Sequence, residues 1–342
     1  MKYILEGETR AAILEKIDTN PNIKQVTLIE PDEGQVKVKI SMSGLCGSQL
    51  QEICGNKGNE EHLPHMLGHE GCGIVEKVGH KVKSVEIGDK VVLHWRKGEG
   101  IESNFPKFSI SPSLWQHTTG KCNTLADTVV VSENRVTKID NDIPDDFAAM
   151  LGCSLSTALS VVDNETNLKF GDSVAVIGCG GVGLNLLQAL SLKGAGKIVA
   201  VEQFTSKEQL CRSCGADEFY NFIPNEKFST IIDTTGDRRI IETAVKHLNF
   251  NGRLILVGQL PKNTPLVILD GNDLINECKQ IIPTQGGQFN PTIDIPNYVN
   301  LYRNNKINYR KVITHTYELA ELSKAIQTVK EGSAGKVMIR MQ

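Results

Sequence analysis

Ser173-Val174-Ala175-Val176-Ile177-Gly178-Cys179-Gly180-Gly181-Val182-Gly183 is the stretch on which the fold turns. An apolar strand runs straight into a G-x-G-x-x-G turn, and the pattern from Val182 to Lys193 that follows is helical. Lys197-Ile198-Val199-Ala200-Val201 is a second apolar strand, so the three segments read as one βαβ unit. Glycine-rich hexapeptides arise by chance; the strand before and the helix after make this one a dinucleotide site. Gly178 permits the tight turn, Gly180 and Gly181 let backbone approach a pyrophosphate, Gly183 lets helix pack on strand, and Val182 lies in the first helical turn, whose N–H groups favour negative charge. Glu202 ends the second strand about twenty residues on, where a carboxylate accepts from the adenosine ribose hydroxyls and repels a 2′-phosphate, favouring NAD over NADP. Lys207, about one helical turn further, either reaches the same ribose or stands solvated at a helix start.

Toward the C-terminus the strands Thr230-Ile231-Ile232-Asp233 and Arg253-Leu254-Ile255-Leu256-Val257 continue the alternation with helices. That grammar predicts a parallel sheet covered on both faces. Toward the N-terminus it changes. Residues 23–40 alternate apolar and polar positions, and Gly73–Val78 and Asp89–Leu93 follow as short glycine-punctuated strands, so the first 150 residues or so read as an antiparallel, barrel-like β unit. Residues 96–120 are rich in Gly, Ser, Pro and Thr and read as a surface lobe. Beyond about 285 the pattern is less regular, ending in a helix near 318–330 and a strand from Lys336 to Met341.

A length of 342 residues suggests two domains, and 40% apolar residues suffice for their cores. The 37 basic and 40 acidic residues leave a net charge of −3, without the basic surplus that nucleic-acid binding needs. No signal-peptide pattern and no spanning apolar stretch are present, so no membrane role is expected. The nine cysteines are odd in number and scattered, which suits reduced thiols in a cytoplasmic protein better than a disulfide framework.

Three segments carry metal-ligand chemistry. Gly44-Leu45-Cys46-Gly47-Ser48 places a thiol just after a strand, Gly68-His69-Glu70 an imidazole and a carboxylate, and Gly152-Cys153 a second thiol where the two halves join. Two thiolates and one imidazole make a three-ligand zinc set with a fourth position left for water or substrate. Taken singly, a cysteine packs more often than it ligates. Together with Gly68-His69-Glu70-Gly71-Cys72-Gly73, Gly79, Gly88-Asp89-Lys90-Val91 and the glycine fingerprint, however, the chain resembles the zinc-containing, medium-chain alcohol dehydrogenase family over essentially its whole length. The resemblance implies an α/β protein with a GroES-like, β-rich catalytic domain (1–154 with 285–342) and a Rossmann domain with a doubly wound parallel sheet (155–284). It implies that Cys46, His69 and Cys153 hold a catalytic zinc, with Glu70 beside the metal or as a transient ligand. Ser48 matches the hydroxyl that takes the substrate proton. Val257-Gly258 and Gly286-Gly287 lie near the nicotinamide, and Lys336 matches a basic residue that approaches the pyrophosphate or is a surface lysine. Trp95 matches the aromatic pocket wall, with His94, Arg96 and Lys97 beside it and Gln51 and Cys54 as further lining. The expected substrate is a small alcohol or carbonyl, polar in kind such as a polyol or sugar derivative, and the expected assembly is a homodimer or homotetramer.

The sequence also departs from the family. Many relatives hold a structural zinc with four cysteines in the lobe, yet no cysteine lies between 73 and 121 here, so one zinc per chain is expected. Phe105, Phe108 and Trp115 are expected to replace that metal by apolar packing. Gln49 stands where relatives usually have an aspartate, and Gln51 where many have a histidine that passes the proton to solvent. Cys211 and Cys214 have no matching second pair and read as structural. Two alternatives stay open: a zinc-free quinone or enoyl reductase of the same superfamily, and a non-catalytic NAD-binding regulatory protein.

Overall fold

A computed structural model describes residues 5–58, 60–110, 117–267 and 270–341. The segment around Ser173–Ile177 forms the centre of a six-stranded, all-parallel sheet. Its spatial order is Glu218–Tyr220, Lys197–Val201, Ser173–Ile177, Phe228–Asp233, Leu248–Leu256, Gln280–Pro283. The chain runs outward on one side of Ser173–Ile177 and then on the other, so the strand order reverses beside it. The crevice beyond the strand C-terminal ends at such a reversal is where open α/β sheets bind ligands. Both central strands are buried along almost their whole length because helices cover both faces, which is why they read as unbroken apolar runs. Helix Gly181–Lys193 ends at Gly194, whose left-handed φ of 87° lets its N–H turn back to Leu190 O at 3.1 Å.

The other unit is β-rich, as its alternation predicts. One sheet of five strands contains Leu5–Leu14 and Asn22–Ile29 in antiparallel register, with Ala11 opposite Lys24. The second, of seven strands, is built around Gln35–Leu45, which pairs with Glu70–Val78 and Thr128–Ser132. Lys336–Arg340 joins this same sheet, Val337 lying opposite Leu45, so a segment 292 positions further on in register closes the unit that the early strands begin. Helix Ser154–Asn164 runs between the two units and is buried on nearly every residue.

The lobe is held differently from the expectation. Phe108 is buried, but Phe105 is 44% exposed, and Trp115 lies outside the described residues. A carboxylate does the tying. Buried Glu133 accepts backbone N–H groups of Lys83 (2.6 Å), Ser84 (2.9 Å) and Ile101 (2.9 Å), drawing two distant loops together. Arg135 adds an ion pair to Glu102 at 2.6 Å. Burial alone would raise the Glu133 carboxyl, but the three N–H donors outweigh it and hold it below the usual range. Its stabilising share is therefore present above the ordinary glutamate range and is lost as pH falls through the lowered value. Glu133→Gln, which turns an acceptor into a donor facing backbone N–H groups, is expected to cost about 1–3 kcal/mol in urea unfolding.

Candidate active site

Each of the three metal-ligand candidates sits at an element boundary. Cys46 follows strand Gln35–Leu45 and caps helix Gly47–Ile53, its backbone N–H donating to Gln49 Oε1 at 2.6 Å. His69 precedes strand Glu70–Val78, and Cys153 precedes helix Ser154–Asn164. The fold brings their ligand atoms within 4.8 Å of one another. A tetrahedral zinc with sulfur bonds of about 2.3 Å needs ligand separations near 3.8 Å, so the cluster has the right donors at the right scale. The electrostatics suit a cation as well. The Cys153 thiol donates to Cys46, and with His69 and Lys336 nearby this holds Cys46 well below the usual thiol range despite burial. Cys153 is pushed up in return by that bond and by burial. For His69, burial pulls downward, but Cys46 outweighs it and the imidazole lies above its ordinary value.

Glu70 is brought beside this cluster, not into it. Its carboxylate is fully buried and already engaged: one oxygen takes the Lys336 ammonium, and the other accepts from Ser154 N (3.1 Å) and Ser154 Oγ (3.0 Å). Room for this arrangement comes from glycine. A Cβ at Gly44 would lie 2.7 Å from Glu70 Cδ and 2.8 Å from Lys336 Cε, and one at Gly152 would collide with Leu93 O. Lys336 is not a surface lysine. It is 2% exposed, and its Cδ would lie 2.9 Å from a Cβ on Gly181, so it stands between the thiol cluster and the glycine turn.

The turn itself fits a dinucleotide. Gly178 has φ of 87°, and a Cβ on Gly183 would strike Gly178 O. By contrast, a Cβ on Gly180 would meet nothing within 4 Å, so the backbone there faces open space. Glu202 is buried at the end of its strand, where Oε2 accepts from Cys179 N at 2.9 Å and pairs with Lys207 Nζ at 3.0 Å. Lys207 is buried too, which removes the solvated alternative. Val257 and Gly258 follow strand Leu248–Leu256 at the same sheet edge, their N–H groups both donating to Asp233 O at 2.9 Å. Cys179, Cys211 and Cys214 are buried in one core cluster.

Sequence and structure comparisons agree with this geometry. Residues 32–145 match the family model described as "Alcohol dehydrogenase GroES-like domain" and residues 181–303 that described as "Zinc-binding dehydrogenase". The chain belongs to the zinc-type medium-chain dehydrogenase family. Among curated relatives, alcohol dehydrogenase 1 of Trifolium repens is 27% identical, over 97% of both chains. S-(hydroxymethyl)glutathione dehydrogenase of Synechocystis sp. is 25% identical, over 97% of this chain and 99% of its own. Among solved structures, benzyl alcohol dehydrogenase from Acinetobacter calcoaceticus matches with a TM-score of 0.87 at 24% identity, over 98% of this chain and 100% of its own. This medium-chain dehydrogenase is thus an oxidoreductase of small molecules with a GroES-like and a Rossmann domain, and no helix among its described residues is long and apolar enough to cross a membrane.

In this medium-chain dehydrogenase a cavity of about 900 Å³ opens beside His69. Trp95 and Arg96 line it, with Lys97, Phe289 and Asn290. Trp95 meets Phe289 edge-on at 6.2 Å, and Gly286 packs against its ring. Arg96 spans both rings at 6.0 Å and donates to Gln285 O at 3.0 Å. His94 does not join this rim. It is fully buried between Arg96 O (2.6 Å) and Thr137 Oγ1 (2.9 Å), and burial pushes its imidazole down to about 4. His94 is the last residue of strand Lys90–His94, which is buried along its whole length, whereas Trp95 and Arg96 lie in the bend beyond it. Gln51 is tied to Asn56 Nδ2 at 2.6 Å, and Cys54 is exposed; neither lines the cavity. Sequence reading missed Ser154, which holds Glu70 from the start of its helix, and Glu52 and His65, which line the cavity; only the tertiary fold brings them there.

Proposed function

We propose that the chain is a zinc-dependent, NAD-linked dehydrogenase that interconverts a polar alcohol, such as a polyol or sugar derivative, and its carbonyl. The observation that carries this reading is the convergence of Cys46, His69 and Cys153 within 4.8 Å, with His69 in the wall of the cavity. Cys46, His69 and Cys153 would hold the zinc, and Gly178, Gly180, Gly181, Val182, Gly183, Glu202, Lys207, Val257, Gly258 and Lys336 the cofactor. When bound, zinc supplies a Lewis acid for the substrate oxygen and the nicotinamide carries the hydride. The protein's own part is placement and proton handling. Ser48 passes the substrate proton, while Glu70 and Ser154 fix Lys336 between the thiols and the glycine turn. Buried Glu202, paired with Lys207, favours ribose hydroxyls over a ribose phosphate, which supports NAD over NADP. Arg96, Lys97 and Glu99 around the cavity favour a hydroxyl-rich substrate over a long apolar chain. One zinc per chain, a homodimer or homotetramer, a cytoplasmic setting and unit bounds of 1–154 with 285–342 and 155–284 belong to the same proposal.

Elemental analysis combined with turnover of simple alcohols, polyols and sugar phosphates, each with NAD and NADP, tests it. The expected result is about one zinc per chain and NAD reduction fastest on polyhydroxy substrates. Carefully prepared protein without zinc would favour a zinc-free reductase. Zinc and NAD binding without turnover on any substrate would favour a regulatory protein, and equal rates on aliphatic alcohols and polyols would remove the polar-substrate assignment.

A further inference from the structure

We propose that Lys57 supplies, through Ser48, the proton that a substrate oxygen takes up on carbonyl reduction, in place of a histidine at position 51. This rests on the dehydrogenase reading above. Helix Gly47–Ile53 carries Ser48 in its first turn and is followed by a tight reversal. Cys54 N donates to Leu50 O (3.0 Å), Gly55 N to Glu52 O (3.1 Å) and Asn56 N to Gln51 O (3.0 Å). Gly55 and Gly58 adopt left-handed φ values of 70° and 66°, conformations in which most side chains are strained. The reversal lays Lys57 back along the helix, so that its ammonium donates to Ser48 Oγ, nine positions earlier. Gln51, committed to Asn56, makes no such contact.

An ammonium has three donors and no acceptor, so Ser48 Oγ must be the acceptor in this contact. The serine's own O–H is thereby left free to donate to another group. Lys57 Nζ also pairs with Glu52 Oε1 at 2.8 Å, and Glu52 Oε2 lies 3.9 Å from His65 Nε2. His62 lies beyond His65, and Lys262 reaches over Gly58 from a neighbouring loop whose N–H donates to Asn56 O at 2.8 Å. The Lys57 and Glu52 side chains are 25% and 18% exposed, so Lys57 Nζ joins a half-buried serine to a partly solvated ion pair, while His65 Nε2 is buried and makes no hydrogen bond.

The balance closes. In reduction the carbonyl carbon gains a hydride from the reduced cofactor and its oxygen gains the Ser48 proton. The Ser48 O–H bond breaks and reforms with a proton from Lys57 Nζ; the neutral amine then takes a proton from solvent. Oxidation runs the same transfers backward and needs Lys57 in its neutral form. Lys57 acts through Ser48 and does not itself touch substrate.

The experiment compares carbonyl reduction, zinc content and reduced-cofactor binding in wild type, Lys57→Met, Lys57→Arg and Lys57→Ala. Both Lys57→Met and Lys57→Arg are expected to lose about a hundredfold in kcat while keeping zinc and cofactor affinity. Ethylamine is expected to restore turnover to Lys57→Ala. Independently of activity, competitive acetylation followed by peptide mass spectrometry should label Lys57 several-fold faster in Ser48→Ala. Arginine keeps the charge but does not give up its proton, so wild-type rates in Lys57→Arg would overturn proton supply by Lys57. Wild-type rates in Lys57→Met, no rescue by amine, or unchanged acetylation in Ser48→Ala would overturn it as well. Absence of any turnover in the wild type would instead remove the dehydrogenase reading, and this inference with it.

Discussion

Cys46→Ser is expected to release the metal and to cut turnover by more than about a thousandfold, while the fold survives. A serine hydroxyl is a poor zinc ligand at neutral pH, and only one thiol and one imidazole remain in the cluster. The Lewis acid contribution is worth several kcal/mol of transition-state stabilisation, and each 1.36 kcal/mol is about a factor of ten in rate. Structure should tolerate the change because Cys46 is only half-buried at a helix N-cap, a position where serine is favoured. Elemental analysis, far-ultraviolet circular dichroism and turnover on the same preparation separate the outcomes. Full zinc content in Cys46→Ser would move the metal elsewhere, and full turnover without zinc would remove the metal from the chemistry.

The second large effect lies behind the ligands. Lys336→Met is expected to destabilise the protein by about 3–5 kcal/mol, the usual consequence of leaving one member of a buried ion pair alone. Glu70 is 0% and Lys336 2% exposed, so water cannot take over. Burial pulls the Lys336 ammonium down, but Glu70 outweighs it, aided by the two thiols, and holds it above the usual lysine range. With its value raised, Lys336 contributes stabilisation that is intact at neutral pH and fades only as pH rises past the ordinary lysine range. Removing both charges together, in Glu70→Gln with Lys336→Met, should recover most of the loss, since an uncharged pair has no desolvated charge to support. Urea unfolding of the two single variants and the double variant measures this, and additive losses would show that the pair is not coupled.

How much of this was legible depended on how local each signal was. Ser173–Ile177 and Lys197–Val201 announced themselves because burial on both faces leaves no polar position after the first residue of each. Leu5–Leu14 did not, because its burial from Ala11 to Leu14 follows a polar start that reads as an ordinary charged terminus. Cys46, His69 and Cys153 were named through glycine-flanked motifs and the family resemblance they carry, and the fold brings their ligand atoms within 4.8 Å. The pocket rim was half-readable: Trp95 and Arg96 line the cavity from the bend after the strand, whereas His94 still belongs to the strand Lys90–His94, which is buried throughout. Glu133 was invisible, because a carboxylate that accepts backbone N–H groups from residues 83, 84 and 101 leaves no periodic trace. The apolar replacement expected in the lobe overvalued Phe105, which faces solvent. Lys57 was hidden for a further reason: it is no helical neighbour of Ser48 until Gly55 and Gly58 reverse the chain.

The antiparallel pairing of Leu45 with Val337 bears on the order of assembly. Every strand of the parallel sheet lies between Ser173 and Pro283, a contiguous stretch that can pair as soon as it is available. The sheet that carries Cys46 and Glu70 must instead wait for a strand from the far end of the chain, across a loop closure that encloses the whole parallel sheet. The nucleotide half is therefore expected to mature first during synthesis, with Glu70 still lacking its lysine, an order that pulsed hydrogen exchange on stalled chains would check. Ligand capture and ion-pair closure become late, coupled events, and an unfinished chain keeps its reactive sulfurs without the cation that stands behind them.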